Sequence, residues 1–273
     1  MVWSFLVDLL YIFNMFVLAY FIIVNGVYIV LTTISFFVIR RYLRENILAR
    51  QRLKLFQTSF YKPISIIAPA FNEQATISDS VRSLLQLHYP EFEIIVVNDG
   101  SSDKTLEIVT NEYRLKPSRR PYPYTLPCKE IRGVYVSKDY PQLIVVDKVN
   151  GGKADALNAG VNVSRYPIFG AIDSDSLLEH DVMLKLVRSF LSESNTVAAG
   201  GIVRVANGCR VDGGEVVEIG LSKKMLPNFQ IVEYLRSFLF GRVGWDAMNG
   251  LVIISGAFGL FRKDAVIACG GYA

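Results

Sequence analysis

A run of 31 residues, from Leu9 to Ile39, contains no charged side chain and is rich in Leu, Ile, Val, Phe and Tyr. An α-helix crosses the hydrocarbon core of a bilayer in about 20 apolar residues, so this run is long enough to span a membrane. A cleavable signal peptide would show a basic start, a shorter apolar core and a small-residue cleavage site, and the sequence shows none of these. We therefore predict a transmembrane anchor at residues 1–43.

The basic residues of the chain are concentrated directly after this run. Residues 40–62 contain seven Lys and Arg residues against one acid, Glu45, whereas the net charge of the whole chain is only +4. Because basic residues stay on the cytoplasmic side of a membrane helix, the chain from Arg40 onward is expected in the cytoplasm, at the cell membrane. Residues 44–62 are interpreted as a basic juxtamembrane linker, which either contacts anionic membrane lipids or only sets the topology. Since the basicity is confined to one short segment, a nucleic-acid partner is not expected.

Beyond the linker, short apolar runs alternate with helical patterns. Strands are expected at residues 64–69, 92–97, 143–146 and 167–172, and helices at 76–87, 103–112, 153–161 and 180–191. This alternation predicts an α/β fold, a mostly parallel sheet with helices on both faces. Residues 113–140 interrupt it and are expected to form a surface excursion with a small hairpin. Residues 251–261 are expected in the core, and residues 229–248 as an amphipathic helix that lies along the membrane or packs against the sheet.

Polar residues follow each predicted strand, where the ligands of such sheets bind. Asp173 and Asp175, in the segment AIDSDS, are two residues apart at the end of a strand and start on the same side of the pleat. Their oxygens suit Mg²⁺ or Mn²⁺, which would neutralise a diphosphate. Taken alone, such an acid pair more often caps the next helix. The three cysteines and two histidines are too dispersed for a zinc site or a disulfide framework.

Two further loop segments favour a nucleotide ligand. The segment VNDGSSDKT follows the second strand, and its hydroxyl and acidic groups can accept hydrogen bonds from a nucleoside or from backbone amides. The segment VNGGKADALNAG places Gly151 and Gly152 before Lys153 at a helix start, where amides and lysine together would favour a phosphate. It is not a P-loop, because Ala154 stands where Ser or Thr is required. The absence of G-x-G-x-x-G after the first strand argues against a dinucleotide-binding dehydrogenase.

Four motifs occur in the order PAFNE, VNDGSSDKT, GGKADALN and IDSD. This combination resembles the membrane-bound family 2 glycosyltransferases with the GT-A fold, over roughly residue 62 to the end of the chain. The later segments FQIVEYLRSFL and ISGAFGLFRKDAV resemble regions near the acceptor in processive hyaluronan, chitin, cellulose and poly-N-acetylglucosamine synthases. The resemblance implies a GT-A glycosyltransferase domain at residues 63–273.

The resemblance also implies roles for nine residues. Those near the nucleotide-sugar donor are Pro69, Phe71, Glu73, Asp99, Lys153 and Asp173. Within this set, the Phe71–Glu73 loop and Asp99 would hold the base and ribose of a UDP-sugar, and Lys153 would lie near the phosphates. Asp175 would bind Mg²⁺ or Mn²⁺, and Ser255 and Gly256 would border the acceptor. The implied reaction is one inverting displacement, in which a base deprotonates an acceptor hydroxyl and the metal stabilises the departing UDP.

The sequence departs from the family pattern at its carboxyl end. The family's catalytic base lies in a T/G-E-D segment somewhat beyond the GGY near the end of this chain, so the resemblance places the base beyond Ala273. That segment, a Q-x-x-R-W motif and further membrane helices are missing. The 273 residues, interpreted as the amino-terminal part of a longer enzyme, are expected to bind donor and metal but to transfer sugar poorly or not at all.

Three functions remain as alternatives at this stage. The preferred one is transfer of sugar to a growing polysaccharide. The others are transfer to a lipid-linked acceptor and a non-catalytic, membrane-tethered nucleotide-sugar-binding module. A sugar nucleotidyltransferase is disfavoured, because its glycine-rich start is absent from residues 64–73.

Overall fold

The structure is a computed structural model that describes residues 2–53, 61–173, 176–212, 215–250 and 253–273. The described residues divide into two compact units. One unit is drawn from residues 1–58 and 224–252, and the other from residues 59–223 and 253–273.

The described helices and strands are as follows. The helices are α1 (Val2–Leu53), α2 (Ile77–Leu85), α3 (Thr105–Glu112), α4 (Lys153–Val163), α5 (Val182–Ser192), α6 (Met225–Leu235), α7 (Val243–Ala247) and α8 (Lys263–Ala268), with a π-helix (Arg236–Arg242) between α6 and α7. The strands are β1 (Ile64–Ala70), β2 (Phe92–Asp99), β3 (Lys116–Ser118), β4 (Ile131–Val136), β5 (Leu143–Lys148), β6 (Ile168–Ile172), β7 (Ala198–Gly200), β8 (Arg210–Asp212), β9 (Glu215–Glu218) and β10 (Phe258–Arg262).

Helix α1 dominates the first unit. Within the part of the chain that the structure describes, its residues 5–44 form the one helix that is long and apolar enough to cross a membrane. The helix continues through residues 44–53, which were predicted to belong to the linker. Residues 44–53 (RENILARQRL) contain no Gly or Pro and are mostly good helix formers, which explains the extension. The predicted linker is therefore helical over its first part.

The segment from α6 to α7 packs against α1 within this unit. The Ser35 hydroxyl on α1 donates a hydrogen bond to the carbonyl oxygen of Phe240 in the π-helix, at 2.7 Å. Gly244 permits a close approach of α7, because an added Cβ there would lie 2.9 Å from the carbonyl oxygen of Leu31. The sequence predicted an amphipathic helix here, either along the membrane or packed against the sheet. Neither prediction included this contact with α1.

The second unit contains an eight-stranded sheet with the order β3-β4-β5-β2-β1-β6-β10-β7. The four central strands β5, β2, β1 and β6 are parallel neighbours. Strands β4 and β10 flank them in antiparallel orientation, and among the described residues β8 pairs only with β9. These central strands are the four predicted from the apolar runs, so the α/β fold class is confirmed.

The central strands separate two hydrophobic cores. Ile66 and Val96 belong to the core covered by α2, α3 and α5, whereas Ile67 and Val97 belong to the core covered by α4. Because successive side chains of a strand point to opposite faces, a continuously apolar strand supplies both cores. Helix α4 lies very close to the sheet, since a Cβ added at Gly160 would overlap with Cγ2 of Ile67.

Residues 113–140 are more than a surface excursion. The predicted hairpin is present as the antiparallel pair β3 and β4, but β4 also pairs with β5 and so extends the main sheet. Leu126, between these strands, is 1% exposed and packs in the core beneath α4. The prediction of a surface excursion is therefore wrong for β4. Without β4, the apolar strand β5 would be an exposed edge of the sheet, and the turn signals in the sequence do not reveal this pairing.

Candidate functional site

The carboxyl ends of β1, β2, β5 and β6 meet at one edge of the sheet, since these strands are parallel neighbours. The Phe71–Glu73 loop follows β1, Asp99 ends β2, and Asp173 follows β6. Lys153 begins α4, in the segment that follows the end of β5 at Lys148. The topology thus brings the predicted donor residues to a common edge.

Asp99 is almost fully buried, and its carboxylate is hydrogen-bonded from within the protein. Oδ1 accepts from Lys148 Nζ at 2.6 Å and from the Gly151 N–H at 3.0 Å, and Oδ2 accepts from the Gly152 N–H at 2.7 Å. The Asp99 carbonyl oxygen accepts from Nδ2 of Asn150 at 2.8 Å. Each carboxylate oxygen has two lone pairs, so these bonds fill Oδ1 and leave one acceptor position on Oδ2.

Lys148 is a component of the site that the sequence analysis missed. Its side chain is 0% exposed, and Nζ donates to Asp99 and to the carbonyl oxygen of Val149, each at 2.6 Å, and forms an ion pair with Asp155. Burial lowers the pKa of Lys148, but the hydrogen bonds and charges of Asp155 and Asp99 outweigh it and raise the pKa, so the ammonium stays charged. A lysine that ends an apolar strand is a usable sequence signal, because a buried ammonium requires acidic partners.

The glycine loop before α4 is shaped by close contacts. Gly100 has φ +65°, and an added Cβ there would lie 2.6 Å from the backbone nitrogen of Asn150. Gly152 has φ +90° and is the N-cap residue of α4. The amides of Gly151 and Gly152, which were expected to bind a phosphate together with Lys153, donate to Asp99 instead. In this structure the Asp99 carboxylate is the acceptor of both amides, and their contact with a phosphate stays a prediction.

Lys153 and Asp173 form an ion pair across the edge, between the first residue of α4 and the residue after β6. Their side chains are 55% and 33% exposed, respectively. The Asp173 N–H donates to the carbonyl oxygen of Ala257 at 3.2 Å, which fixes its backbone beside the segment that precedes β10. The structure therefore brings together two residues that the sequence assigned to the same donor.

The loop after β1 is hydrogen-bonded to the loop after β2. Asn72 has φ +56°, and its Oδ1 accepts from the Ser102 N–H at 2.9 Å. The Glu73 N–H donates to Oγ1 of Thr105 at 2.8 Å, while the Glu73 carboxylate accepts from the hydroxyl of Thr76 at 2.6 Å, just before α2. Phe71, at the tip, is about half exposed. Glu73 thus has a structural contact in addition to its predicted place near the donor.

Asp103 joins the same two loops. Its Oδ2 accepts from the Gln74 N–H at 3.0 Å, and its Oδ1 accepts from the N–H and hydroxyl of Thr105 at 2.9 and 2.5 Å. Burial raises the pKa of Asp103, but the hydrogen bonds from Thr105 and Gln74 outweigh it and lower the pKa.

Pro69 lies inside β1, paired in register with Val97, so its position is set by the sheet.

A pocket of about 340 Å³ lies beside Lys153. Ser255 and Gly256, the predicted acceptor residues, both line it, and a Cβ added at Gly256 would meet no atom within 4 Å. Tyr272 also lines the pocket, and its hydroxyl is buried with no hydrogen-bond partner among the described residues. Burial raises the pKa of Tyr272 to about 12, so the phenol is neutral. The sequence analysis did not identify Tyr272 as a pocket residue.

Asp175, the predicted metal ligand, lies outside the described residues, as does Ser174. In the ranges that the structure covers, no group of three or more His, Cys, Asp and Glu side chains could hold a metal. Mg²⁺ is typically bound by one or two carboxylates, with water and substrate phosphates completing its shell. The Asp173 carboxylate, at the end of β6, therefore fits the chemistry of such a site.

The catalytic base that the resemblance places beyond Ala273 stays a prediction. Ala273 is the last residue of this chain and is exposed next to the pocket residue Tyr272. Its methyl side chain can neither accept nor donate a proton. The expected weak or absent transfer by these 273 residues likewise stays a prediction.

Several known proteins are similar to this chain. A poly-β-1,6-N-acetyl-D-glucosamine synthase of Staphylococcus epidermidis is 28% identical over 257 residues, which are 94% of this chain and 52% of the relative. The synthase of the same name from Staphylococcus aureus (strain COL) is 27% identical over 208 residues, which are 76% of this chain and 41% of the relative. The chain thus spans about half the length, or less, of these curated relatives.

The fold is also similar to that of a solved mannosyltransferase from Pyrobaculum calidifontis, in complex with GDP-Man and Mn²⁺. The TM-score is 0.52 at 17% identity, over 89% of this chain and 59% of that one. The sequence profile of Glycosyl transferase family 2 matches residues 65–123 and 127–267, which include every predicted site residue. The chain therefore belongs to glycosyl transferase family 2.

Proposed function

We propose that this chain carries the donor site of a glycosyltransferase that transfers sugar from a UDP-sugar to a growing polysaccharide at the cytoplasmic face of a membrane. The observation that carries the proposal is the meeting of Lys153 and Asp173 at the strand edge where Asp99 and the Phe71–Glu73 loop also lie. Membership in the family and the polysaccharide-synthase relatives support the reaction class.

The donor is bound in two parts. The base lies against Asp99, whose remaining acceptor position on Oδ2 suits the N3–H of uracil. The Phe71–Glu73 loop and Pro69 border the base and ribose. Lys153, which is half exposed, binds the diphosphate. Because the relatives are named for N-acetyl-D-glucosamine, UDP-N-acetylglucosamine is the first donor to test.

A divalent cation, Mg²⁺ or Mn²⁺, completes the proposed site. Asp175 is its ligand, and Asp173 contacts the nucleotide beside it. When bound, the cation offsets negative charge on the diphosphate leaving group. The Mn²⁺ in the structurally similar mannosyltransferase supports this assignment. In the absence of donor, Lys153 neutralises Asp173, and donor binding exchanges this ion pair for contacts with the phosphates.

The acceptor enters through the pocket bordered by Ser255 and Gly256. Lys153 lines the same pocket, so an acceptor hydroxyl there would lie next to the donor phosphates. The hydroxyl attacks the anomeric carbon in a single displacement with inversion, and UDP leaves. We assign the base to none of the described carboxylates and place it beyond Ala273.

Membrane attachment is part of the proposal. Helix α1 is the anchor, and its arginines from Arg40 onward keep the second unit in the cytoplasm. The packing of the π-helix and α7 on α1 supports a role for residues 225–247 near the membrane. Membrane lipids are therefore proposed partners of this chain.

Donor binding is tested by titration calorimetry on the full chain in lipid nanodiscs. UDP and UDP-N-acetylglucosamine are expected to bind in the presence of Mn²⁺ and to lose at least tenfold in affinity in the presence of EDTA. Asp175→Asn should lose the same factor, whereas Asp79→Asn, a 78% exposed aspartate on α2, should leave binding unchanged. A folded wild-type chain that binds no UDP would contradict the proposal.

The acceptor is tested separately, in membranes supplied with radiolabelled UDP-N-acetylglucosamine. Label in a water-insoluble polymer would support polysaccharide synthesis. Label that extracts into organic solvent would indicate a lipid-linked acceptor instead. Label that remains in the donor, with intact UDP binding, is the result expected of residues 1–273 if the base lies beyond Ala273, and a nucleotide-sugar-binding module would give the same result.

A further inference from the structure

We infer that Lys148 is the positioning residue of the donor site, which holds Asp99 and the glycine loop before Lys153 in one fixed arrangement. The ligand class concerned is a nucleoside diphosphate, whose base faces Asp99 and whose phosphates face Lys153. The inference rests on the proposed function, because these two contacts are part of that proposal.

The first argument is the burial and saturation of the Lys148 ammonium. Its side chain is 0% exposed, so it cannot itself touch a ligand at the surface. Its three N–H donors face three acceptors, namely the Asp99 and Asp155 carboxylates and the Val149 carbonyl oxygen. A group with no spare donor and no exposure acts through the residues that it holds.

The second argument is the connection of these partners to the ligand-facing residues. Asp99 accepts from both Gly151 and Gly152, and Lys153 is the next residue along the chain. Asp155 lies in the first turn of α4, and its Oδ2 also accepts from the Lys129 N–H at 2.9 Å. Lys148 therefore joins the end of β2, the glycine loop and the start of α4 through one ammonium.

The third argument is the charge balance of the cluster. Two carboxylates surround one ammonium, and the additional negative charge is stabilised by backbone N–H groups. Without the ammonium, Asp99 and Asp155 would repel each other at short range in a region of low dielectric constant. Asp155 is 21% exposed and can turn toward water, which would release the start of α4 and the glycine loop with it.

The consequence for binding follows from base chemistry. Uracil has an N3–H donor, whereas N3 of cytosine is an acceptor, so an ionised and correctly oriented Asp99 favours UDP over CDP. Loss of Lys148 should therefore lower both the affinity for UDP and the preference for UDP over CDP. A purely structural lysine elsewhere would not change that preference.

The test compares Lys148→Met with Lys129→Met in the full chain, by calorimetric titration with UDP and with CDP in the presence of Mn²⁺. Lys129 is a matched control, because its Nζ donates to the carbonyl oxygen of Asn150 at 2.6 Å in the same loop but makes no contact with Asp99. Lys148→Met should weaken UDP binding at least tenfold and bring the UDP to CDP affinity ratio close to one. Lys129→Met should change both quantities less than threefold.

A folded Lys148→Met protein with UDP affinity and UDP to CDP ratio within twofold of wild type would overturn the inference. Should that variant lack the wild-type circular dichroism spectrum, Lys148→Met with Asp155→Asn restores the charge balance and is judged by the same criteria. Absence of UDP binding in the wild type would instead overturn the proposed function, and this inference with it.

If neither variant folds, a measurement on the unmodified protein tests whether the glycine loop is held in a fixed arrangement before the ligand binds. Because the Gly151 and Gly152 amides are already bonded to Asp99, peptides covering residues 148–155 should exchange hydrogen slowly without UDP. Fast exchange that slows only after UDP is added would overturn the inference.

Discussion

Two ionic contacts lie at the same edge of the sheet, and they differ in exposure. The contact of Asp99, Lys148 and Asp155 is buried, and Lys148 is fully enclosed. The contact of Lys153 and Asp173 is open to solvent, with 55% of the lysine side chain exposed. Both contacts join a lysine to aspartates near the carboxyl ends of the parallel strands, so residue type alone does not separate their roles.

The difference in exposure distinguishes a contact that stabilises the backbone of the site from a contact that can bind a charged ligand. A buried charge that loses its partner is strongly destabilising, whereas an exposed pair contributes little to stability. The buried contact is therefore suited to hold the backbone in place. The exposed contact can exchange its partner for a charged ligand at little cost to the fold. Four experiments test this comparison.

Asp99→Ala should have the largest effect on stability. It leaves the buried Lys148 with one fewer counter-charge and the Gly151 and Gly152 amides without an acceptor, so we expect a loss of about 3–5 kcal/mol. The loss is measured as a shift in unfolding monitored by circular dichroism. The exposed Asp79→Ala is the control and should change stability by about 0.5 kcal/mol or less. A loss for Asp99→Ala as small as that of the control would refute the comparison.

Gly100→Ala, in the loop after β2, and Gly152→Ala, in the glycine loop before α4, form a matched pair. Both residues have positive φ, which costs about 1–3 kcal/mol for a residue with a side chain. At Gly100 the new Cβ would also meet the Asn150 nitrogen at 2.6 Å, whereas at Gly152 it would meet nothing within 4 Å. Chemical denaturation should therefore show the larger loss for Gly100→Ala. Equal losses would mean that the loop relaxes away from Gly100 freely.

Lys153→Met should separate stability from binding. The exposed pair with Asp173 contributes about 0–1 kcal/mol, so the unfolding transition should move little. The UDP affinity should fall at least tenfold, as measured by calorimetry. Lys116→Met, at an exposed position on β3, is the control for the loss of one positive charge. A strongly destabilised Lys153→Met protein would mean that Lys153 stabilises the fold, as the buried contact does, and would contradict the comparison.

Asp103→Asn should have the smallest effect on the fold. The change weakens hydrogen bonds from Thr105 and Gln74 that join two exposed loops, so we expect a loss of affinity for UDP of a few-fold. The pKa of the Asp103 carboxyl is lowered, so the ionised form and its bonds are present above the ordinary pKa and are lost only on acidification. The difference in UDP affinity between wild type and variant should thus be constant from about pH 5 to 8 and be lost only when the pH falls below the ordinary aspartate pKa of about 3.9, toward the lowered pKa of Asp103. A difference that changes near neutral pH would point to another group.

Much of the fold could be predicted from the sequence, because it depends on local patterns. Apolar runs such as Phe92–Val97 predicted the parallel strands, and the periodicity of Ile77, Val81 and Leu84 predicted α2. The uncharged run in α1 predicted the apolar helix, although not its extension to Leu53. The pairing of β4 with β5 was missed, although only residues 137–142 separate the two strands, because residues 113–140 were interpreted as one surface excursion.

The motifs likewise predicted which residues meet at the edge, but not how they bond. Four loop segments at successive strand ends placed Asp99, Lys153 and Asp173 together once a parallel sheet was assumed. That assumption did not reveal that the Asp99 carboxylate accepts hydrogen bonds from the backbone N–H groups of Gly151 and Gly152. The partners are distant in the sequence, and only the register of β2 against β5 brings them within hydrogen-bond distance.

By itself, the sequence determined the long apolar helix, the α/β fold class and the family, since each follows from composition, periodicity or motifs read along the chain. Only the tertiary structure decided that Lys148 is enclosed by two carboxylates and that Tyr272 lines the pocket beside Lys153. It also decided that the π-helix and α7 pack on α1. The physical reason is that burial and hydrogen-bond partners depend on how distant segments pack together, and the strength of a charge depends on that burial.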